Sequence, residues 1–397
     1  MRAIAIGALA VVTLAAPGKL DRTFGSHGKV VTALYDGASA QAIALQRDGK
    51  LVVAGFAARY GLSSDFAVAR YTPRGRLDRL FGQRGTVTTD FGATDYATAA
   101  KVQRDGKIVV TGYVVRGSVQ VALARYRRNG SLDPSFGAGG EVLEPGVGFA
   151  LALQRDGKIL VGGEDGGRFA LWRFKPDGSL DAGFGTNGEA TTQFEPAAAA
   201  IIALVIQPNG KVVAVGGSVG GFDAEAWALA RYNPDGSLDT TFGSNGTVTA
   251  FPGGSDNRAK AVVLQGNRRI VVAGSRGGRF VLAGFRPDGT LDPRFGRDGG
   301  VTTAFGPRGS ANAIGVQRDG TIVAVGRTAG YLGNDDFALA RLSRNGIPFR
   351  GTVTSFDDGN DEASGLVVQR DGKVVAAGVA DQYGDSGGMF ALARYRR

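Results

Sequence analysis

Short apolar runs alternate with polar turns along the whole chain. In the first copy, the run AIALQ precedes a turn at Asp48 and Gly49, and the run KLVVAG follows it. Asp-Gly between two such runs is typical of a β-hairpin with a type I′ turn, in which both turn residues have positive φ. Segments close to FALARY read as a third strand, and GTVTTDF at 85–91 reads as a more polar fourth. No stretch shows a helical period with caps, so the pattern predicts an all-β chain.

This unit of four strands recurs seven times. The phrase QRDGK, or a variant of it, begins at seven glutamines that are 51 to 58 residues apart: Gln46, Gln103, Gln154, Gln207, Gln265, Gln317 and Gln369. The phrase LDxxFG begins at Leu20, Leu77, Leu132, Leu180, Leu238 and Leu291, with a degraded copy at Ile347. Four short strands in each of seven repeats predict a single seven-bladed β-propeller with four antiparallel strands per blade.

The order of the strands predicts how the ring closes. We name the strands of one unit A to D in chain order. The chain begins with a D strand inside residues 20–35 and ends with a C strand at Phe390–Tyr395. The N-terminal strand is therefore expected to join the C-terminal blade. The propeller is predicted over residues 17–397, with approximate blades at 36–91, 92–143, 144–194, 195–251, 252–305, 306–356 and 357–397.

Residues 1–16 form the one long apolar segment. A single early Arg precedes an apolar stretch that ends in small residues, which is typical of a secretory signal peptide cleaved near Ala15 or Ala16. The stretch is short for a membrane span, and a buried strand is the alternative interpretation. We expect a secreted, cell-surface or periplasmic protein with no membrane span once the signal is removed.

The three phrases recur in fixed order as AxALQxDGKxVVAG…DFALARYxPDGSLDxxFGxxGxVTT. This unit resembles the delta-60 repeat family over about residues 20–397, and it is distantly similar to NHL-type propeller repeats. The resemblance implies a bacterial, often exported, propeller-like protein, and it implies no catalytic residues. Copy five departs from the unit with Gly284 in place of Arg, and copy six departs with Pro348 in place of Asp.

Composition excludes several kinds of chemistry. The chain has no Cys and one His, so a disulfide framework, a thiol nucleophile and a multi-His metal site are ruled out. His27 is expected to be a solvated turn residue. The 65 glycines follow no Gly-X-Y period. The net charge of +10 would suit an anionic partner, but the sequence contains no recognisable nucleic-acid-binding module, so nucleic acid is not expected as a partner.

The repeated charges are interpreted as architecture. An Arg on strand C is followed eight residues later by the Asp of LDxxFG, which predicts an Arg–carboxylate pair within each blade. The predicted pairs are Arg70–Asp78, Arg125–Asp133, Arg173–Asp181, Arg231–Asp239 and, through the ring closure, Arg394–Asp21. The Phe of LDxxFG is expected to pack between blades.

Function is expected where the repeat varies. The B–C and D–A loops differ between copies and share one face of a propeller, and variable loops on a rigid scaffold commonly carry function. Blades six, seven and one are neighbours, and their loops combine tyrosines with acids. The predicted ligand face consists of Tyr60, Asp65, Tyr331, Asp335, Asp336, Asp357, Asp358, Asp361, Tyr383 and Asp385.

Tyrosines beside carboxylates suit a carbohydrate, a cationic group or a protein partner, although the same residues also fit solvated loops. Calcium is a weak alternative, because the run at 357–361 matches no complete EF-hand loop; no cofactor, metal ligand or catalytic residue is assigned. The leading hypothesis is a monomeric, non-enzymatic binding scaffold. The alternative is a lactonase-like or glycosidase-like hydrolase, which needs acids that converge at the channel mouth. Glu362 is the main acid there and no converging pair of acids is found, so a non-enzymatic protein is favoured over an enzyme.

Overall fold

The computed structural model describes residues 11–12, 19–59, 63–194, 198–220, 224–251, 256–266, 268–303, 305–306, 308–329, 334–356, 359–381 and 387–397. The regular secondary structure in these ranges consists of β-strands, which form seven antiparallel sheets of four strands, one of them extended by a further short strand. The innermost strands of neighbouring sheets contact one another around a complete ring. The predicted all-β, seven-bladed propeller is confirmed.

In blades one to six, strands A to D follow one another in the chain and in the sheet. They are β3–β6 at Gly37–Leu45, Leu51–Ala58, Ser64–Tyr71 and Thr86–Thr89; β7–β10 at Thr94–Val102, Ile108–Arg116, Ser118–Tyr126 and Glu141–Pro145; and β11–β14 at Val147–Leu153, Ile159–Asp165, Arg168–Phe174 and Glu189–Thr192. They continue as β15–β18 at Ala198–Ile206, Val212–Gly220, Ala224–Tyr232 and Thr247–Ala250; β19–β22 at Arg258–Gln265, Arg269–Arg276, Arg279–Phe285 and Gly300–Thr303; and β23–β26 at Gly309–Val316, Ile322–Ala329, Asp335–Leu342 and Pro348–Thr354.

The seventh blade is built from both ends of the chain. Strands β27 to β29 (Asp361–Val368, Val374–Ala380 and Met389–Tyr395) supply A to C, and β2 (Lys29–Thr32) pairs antiparallel with β29 as the outer strand. The predicted closure is therefore confirmed. A two-residue strand, β1 (Val11–Val12), lies within the segment predicted as a signal peptide and pairs in parallel with β22 of blade five.

The A–B turn differs from the predicted type I′ turn. In blade one the left-handed conformation falls on Gly49 alone, with φ of +85°, and Asp48 is not among the residues with positive φ. Gly49 N–H donates to the carbonyl of Gln46, and the Asp48 carboxylate accepts from Lys50 N–H. This is a type I turn closed by a glycine bulge, and the Asp is selected for its side-chain acceptor.

The hydrophobic core is divided among the seven blade interfaces. Each of seven buried clusters draws its residues from two adjacent blades, as when Phe66 of blade one packs in one cluster with Ile108 of blade two. The Phe of LDxxFG is buried between blades, as predicted. A Cβ on Gly130 of blade two would lie only 3.1 Å from Phe81 of blade one, so the glycine of the next C–D turn makes room for this ring.

The A–B and C–D turns form one face of the propeller, which we call the turn face. On this face a set of charged contacts, which we call the staple, joins each blade to the next. In blade three, Arg173 Nε lies 2.7 Å from Asp181 Oδ2, and Lys158 Nζ lies 2.9 Å from the same oxygen. The guanidinium lies over the Phe184 ring at 4.5 Å and donates to the carbonyl of Pro234 in blade four. The predicted pair within the blade is present, and the bond across the interface adds a function that the spacing did not indicate.

All five predicted Arg–Asp pairs are present. A guanidinium spans every interface by donating to the next blade's backbone: Arg70 to Arg128, Arg125 to Pro176, Arg173 to Pro234, Arg231 to Pro287, Arg269 to Arg344, Arg341 to Arg396 and Arg394 to Pro73. In blade five, Arg269 from strand B replaces the arginine absent at Gly284 and pairs with Asp292. The bond across the interface therefore survives both departures from the repeat, although in blade six Gln317 takes the place of the carboxylate.

Candidate functional site

The opposite face, here the loop face, carries the B–C and D–A loops. Six of the ten residues predicted to form the ligand face lie outside the described residues: Tyr60, Tyr331, Asp357, Asp358, Tyr383 and Asp385. The other four, Asp65, Asp335, Asp336 and Asp361, are described, and they occupy different environments.

Asp335 begins strand C of blade six and forms an ion pair with Arg327 of strand B. Its backbone N–H also donates to Asn360 Oδ1 at 3.0 Å. The neighbouring Asp336 is half-buried, and burial raises the pKa of its carboxyl, although a hydrogen bond with Ser355 opposes the shift. These two acids therefore belong to the local structure of blade six and its boundary with blade seven.

Asp361 is fully buried at the start of strand A in blade seven. Its Oδ2 accepts from the backbone N–H of Phe356 at 2.6 Å, and the Phe356 ring packs against Phe337. The carboxylate therefore holds the D–A loop in place. The sequence predicted this residue on the ligand face, and the structure places its side chain in the interior at the edge of that face.

Asp65 lies in a cluster of acids between blades one and two. One carboxylate oxygen each of Asp65, Asp90 and Asp95 lies within 4.8 Å of the others. Asp95 is fully buried, and burial raises its pKa to about 6 although its Oδ2 accepts from Phe91 N–H at 2.6 Å. Burial and the charge of Asp90 also raise the pKa of Asp65. Asp65 was predicted on the ligand face, whereas Asp90 and Asp95 were not predicted from the sequence.

Every A strand carries a β-bulge at the same place. Because the A strands are the innermost strands of the ring, we infer that the two side-chain positions beside the bulge face the channel mouth. The residues before the bulge, in blade order, are Ser39, Tyr96, Val147, Ala200, Arg258, Ser310 and Glu362. The extra residues are Gln41, Thr98, Phe149, Ile202, Lys260, Asn312 and Ser364. The combination of residues at these two positions differs in every blade although the backbone repeats.

Four aromatic rings form a continuous row across the mouth over blades one to three. The ring centroids of Phe56 and Tyr96 are 4.9 Å apart, those of Tyr96 and Tyr113 are 5.1 Å apart, and those of Tyr113 and Phe149 are 6.0 Å apart. All four residues are half-buried, so part of each ring faces solvent. We call these residues the aromatic row.

The other side of the mouth, over blades five to seven, is a hydrogen-bonded polar network. Lys260 Nζ donates to Asn312 Oδ1 at 3.1 Å, and Asn312 Nδ2 donates to Glu362 Oε1 at 2.8 Å. Arg327 Nε lies 3.8 Å from the same Glu362 oxygen and links the network to Asp335. We call Lys260, Asn312, Glu362, Arg327 and Asp335 the polar arc. Burial lowers the pKa of Lys260.

The aromatic row was not predicted from the sequence, because the ligand face was expected in the variable loops and these rings lie within strands. The signal was present in the repeat alignment. The residue after the conserved glycine of strand B is Phe56, Tyr113, Glu164, Gly217, Ser275, Arg327 and Val379 in blade order. Such variation at one strand position in an otherwise constant repeat points to the channel mouth.

The comparison with protein-family models agrees with this repeat. Six segments match the model described as "Domain of unknown function (DUF5122) beta-propeller": residues 46–81, 103–136, 154–184, 207–242, 265–295 and 317–346. The chain carries DUF5122 beta-propeller repeats. Each DUF5122 segment runs from the glutamine of the A–B turn through strands B and C to the C–D turn, which is the constant part of the blade. No curated protein sequence matches the chain significantly.

Several solved structures are similar to this chain over most of its length, at low sequence identity. The polysaccharide lyase Uly1 is 9% identical with a TM-score of 0.52, covering 95% of this chain and 92% of that one. A protein of unknown function from Dyadobacter fermentans is 13% identical with a TM-score of 0.47, covering 93% and 98%. A gluconolactonase from Xanthomonas campestris is 13% identical with a TM-score of 0.42, covering 99% of each chain.

The described part of the present chain holds no helix suited to crossing a bilayer.

Proposed function

We propose that the protein is a secreted, non-enzymatic scaffold that binds a carbohydrate chain through the channel mouth on its loop face. The observation that carries the proposal is the aromatic row. Its four rings are neighbours in space, partly open to solvent, and stand at positions that the remaining blades fill with non-aromatic residues. A row of partly exposed aromatic rings is a contiguous apolar surface, and such surfaces mark ligand-binding or interaction sites.

The chemistry of the mouth suits a sugar. A pyranose ring has an apolar face that packs on an aromatic ring, and hydroxyl groups around its edge that need donors and acceptors. The aromatic row supplies rings for the apolar face of the sugar. The polar arc across the channel supplies amide, carboxylate and ammonium groups that can hydrogen-bond the hydroxyl groups. A cationic ligand would also contact the rings, but Lys260 and Arg327 on the other side would oppose it.

The aromatic row extends the ligand face predicted from the loops. Asp65 pairs in register with Ala57, which follows Phe56 of the row. The proposed surface therefore reaches from the variable loops of blade one to the channel mouth. The acids and tyrosines of blades six and seven that lie outside the described residues remain part of the proposal.

A glycan array followed by calorimetry on the best ligand tests this proposal. Tyr113→Ala is expected to weaken binding about tenfold, because stacking on one ring is worth about 1 kcal/mol or more. Phe349→Ala is the matched control, since Phe349 is 44% exposed and lies in the outer strand of blade six, away from the row. A full array without any binding, or equal losses in both variants, would refute the proposed site.

Hydrolysis is the second candidate, and the observation in its favour is Glu362 at the channel mouth. A hydrolase usually needs two groups in complementary protonation states. The Glu362 oxygen that accepts from Asn312 also faces Arg327. Assays on lactone and glycoside panels separate the candidates. Turnover that disappears in Glu362→Gln while binding persists would overturn the non-enzymatic proposal.

Mass determination of exported protein checks cleavage near Ala16.

A further inference from the structure

Three carboxylates from two blades meet at the loop face. Asp65 lies in strand C of blade one, Asp90 follows strand D of the same blade, and Asp95 lies in strand A of blade two. One oxygen of each lies within 4.8 Å of the others. Calcium binds oxygen at 2.3–2.6 Å, so two of its ligand oxygens can be up to about twice that distance apart. The spacing therefore accommodates one ion.

Asp95 shows that this cluster is more than an acidic surface. Its side chain is 0% exposed, and its Oδ1 has no hydrogen-bond partner among the described residues. The other oxygen, Oδ2, accepts from Phe91 N–H. The nearby cation Arg59 lies with its guanidinium stacked on the Tyr35 ring at 4.2 Å. A buried carboxylate oxygen without a partner is costly, and a bound cation would remove that cost.

We propose that Asp65, Asp90 and Asp95 bind one divalent cation, with Ca²⁺ preferred. All three donors are carboxylate oxygens, which are ligands for hard cations. Calcium tolerates an irregular set of six to eight oxygens and can complete its shell with water, whereas Mg²⁺ demands near-octahedral geometry. The ion would join blade one to blade two on the face that lacks the arginine staple.

Blades six and seven contain the same arrangement without the third acid. Register places Asp336, Ser355 and Asp361 at the positions of Asp65, Asp90 and Asp95. Asp361 accepts from Phe356 N–H as Asp95 accepts from Phe91 N–H. Lys29 Nζ donates to the Ser355 carbonyl at 2.5 Å and brings a positive charge to Asp336. In blade six, Ser355 thus stands where blade one has its third carboxylate, Asp90, and Lys29 supplies the positive charge at that place.

Calcium titration of the EDTA-treated full-length chain tests the site, by calorimetry and by thermal unfolding at constant ionic strength. We expect saturable binding of one Ca²⁺ per chain and a rise in Tm of about 3 °C or more at saturation. Asp95→Asn keeps an oxygen for Phe91 N–H, so it should abolish the calcium response and raise the Tm measured in EDTA. If Asp95 served only to fill space in the interior, Asp95→Asn would not raise the Tm measured in EDTA.

Two further variants keep the test decisive. Asp90→Ser copies blade six at an exposed position, so it should fold and lose the calcium response. Asp361→Asn changes the equivalent residue of blade seven and should leave the response intact. Absence of saturable Ca²⁺, Mg²⁺ or Mn²⁺ binding to the wild-type chain, or a calcium response that persists in both Asp90→Ser and Asp95→Asn, would overturn the proposal. Glycans are absent from these measurements, so the result is independent of the proposed function.

Discussion

Two arginine–aspartate pairs with the same spacing lie on opposite faces of the propeller. Arg231 and Asp239 are eight residues apart on the turn face, where 8% and 4% of their side chains are exposed. Arg327 and Asp335 are also eight residues apart, on the loop face, with 42% and 22% exposed. The first pair recurs in four other blades, and the second belongs to blade six. Spacing alone therefore does not distinguish architecture from a candidate site; recurrence and burial do.

The contrast extends to the faces themselves. On the turn face an arginine of every blade donates to a backbone carbonyl of the next blade, so a bond of the same kind holds each interface. On the loop face each blade presents different side chains from the same backbone. Selection for a stable ring explains the repeated bond on the turn face. The loop face differs from blade to blade, and such a surface can fit an asymmetric ligand. The propeller thus separates the residues that hold the ring together from those available for binding.

The largest effect is expected from breaking one turn-face staple. Arg231→Ala leaves Asp239 buried with Lys211 as its remaining ion-pair partner and removes the bond to the Pro287 carbonyl. Removing one partner of a buried pair typically costs about 3–5 kcal/mol, so we expect a loss of about 3 kcal/mol and a clearly lower Tm. Thermal and urea unfolding measure it, and an unchanged Tm would contradict the role assigned to the staple.

Blade six provides the matched control. Arg341 has Gln317 Oε1 as its side-chain partner at 2.9 Å and donates to the Arg396 carbonyl, while Pro348 stands where other blades have the aspartate. Arg341→Ala therefore leaves no carboxylate uncompensated. Its cost should be about half that of Arg231→Ala. Equal costs would show that the carboxylate contributes little to the staple.

A second change makes blade five resemble the other six. Gly284→Arg restores the arginine of strand C, so the repeat pattern alone predicts a gain in stability. The structure predicts a loss of about 2 kcal/mol, because a Cβ at Gly284 would lie 2.5 Å from Phe295 Cγ and overpack the interface. Combining it with Arg269→Lys, which recreates the usual staple, should not restore the Tm. Full recovery in the double variant would indicate that the Phe295 ring moves freely.

The fold could be predicted because every blade repeats the same local evidence. The turn glycines, the apolar strands and the LDxxFG phrase occur often enough for one degraded copy, such as that at Ile347, not to obscure the pattern. The type of the A–B turn could not be predicted, since Asp-Gly fits both a type I′ turn and a type I turn with a glycine bulge. The choice depends on the hydrogen bond between Gln46 and Gly49, which composition does not reveal.

The candidate site was harder to predict because its residues are distant in sequence. Phe56 and Phe149 come from the first and third blades and are brought into one row by Tyr96 and Tyr113 between them. Asp65 was selected from its loop, but its acidic neighbour Asp95 lies thirty positions later in another blade. Such proximity follows from the ring closing around a channel, so it can be predicted only once copies are aligned by structural register.

The smallest effect is expected from the loop-face pair, and it decides whether the two faces differ as proposed. Arg327→Ala should cost less than about 1 kcal/mol, because both side chains are solvated and the pair is screened by salt. Its cost should shrink further between 0.05 and 0.5 M NaCl, whereas that of Arg231→Ala should change little. A loss comparable to that of Arg231→Ala, with no salt dependence, would mean that the polar arc is also architectural. Its residues would then be poor candidates for contacts with a ligand.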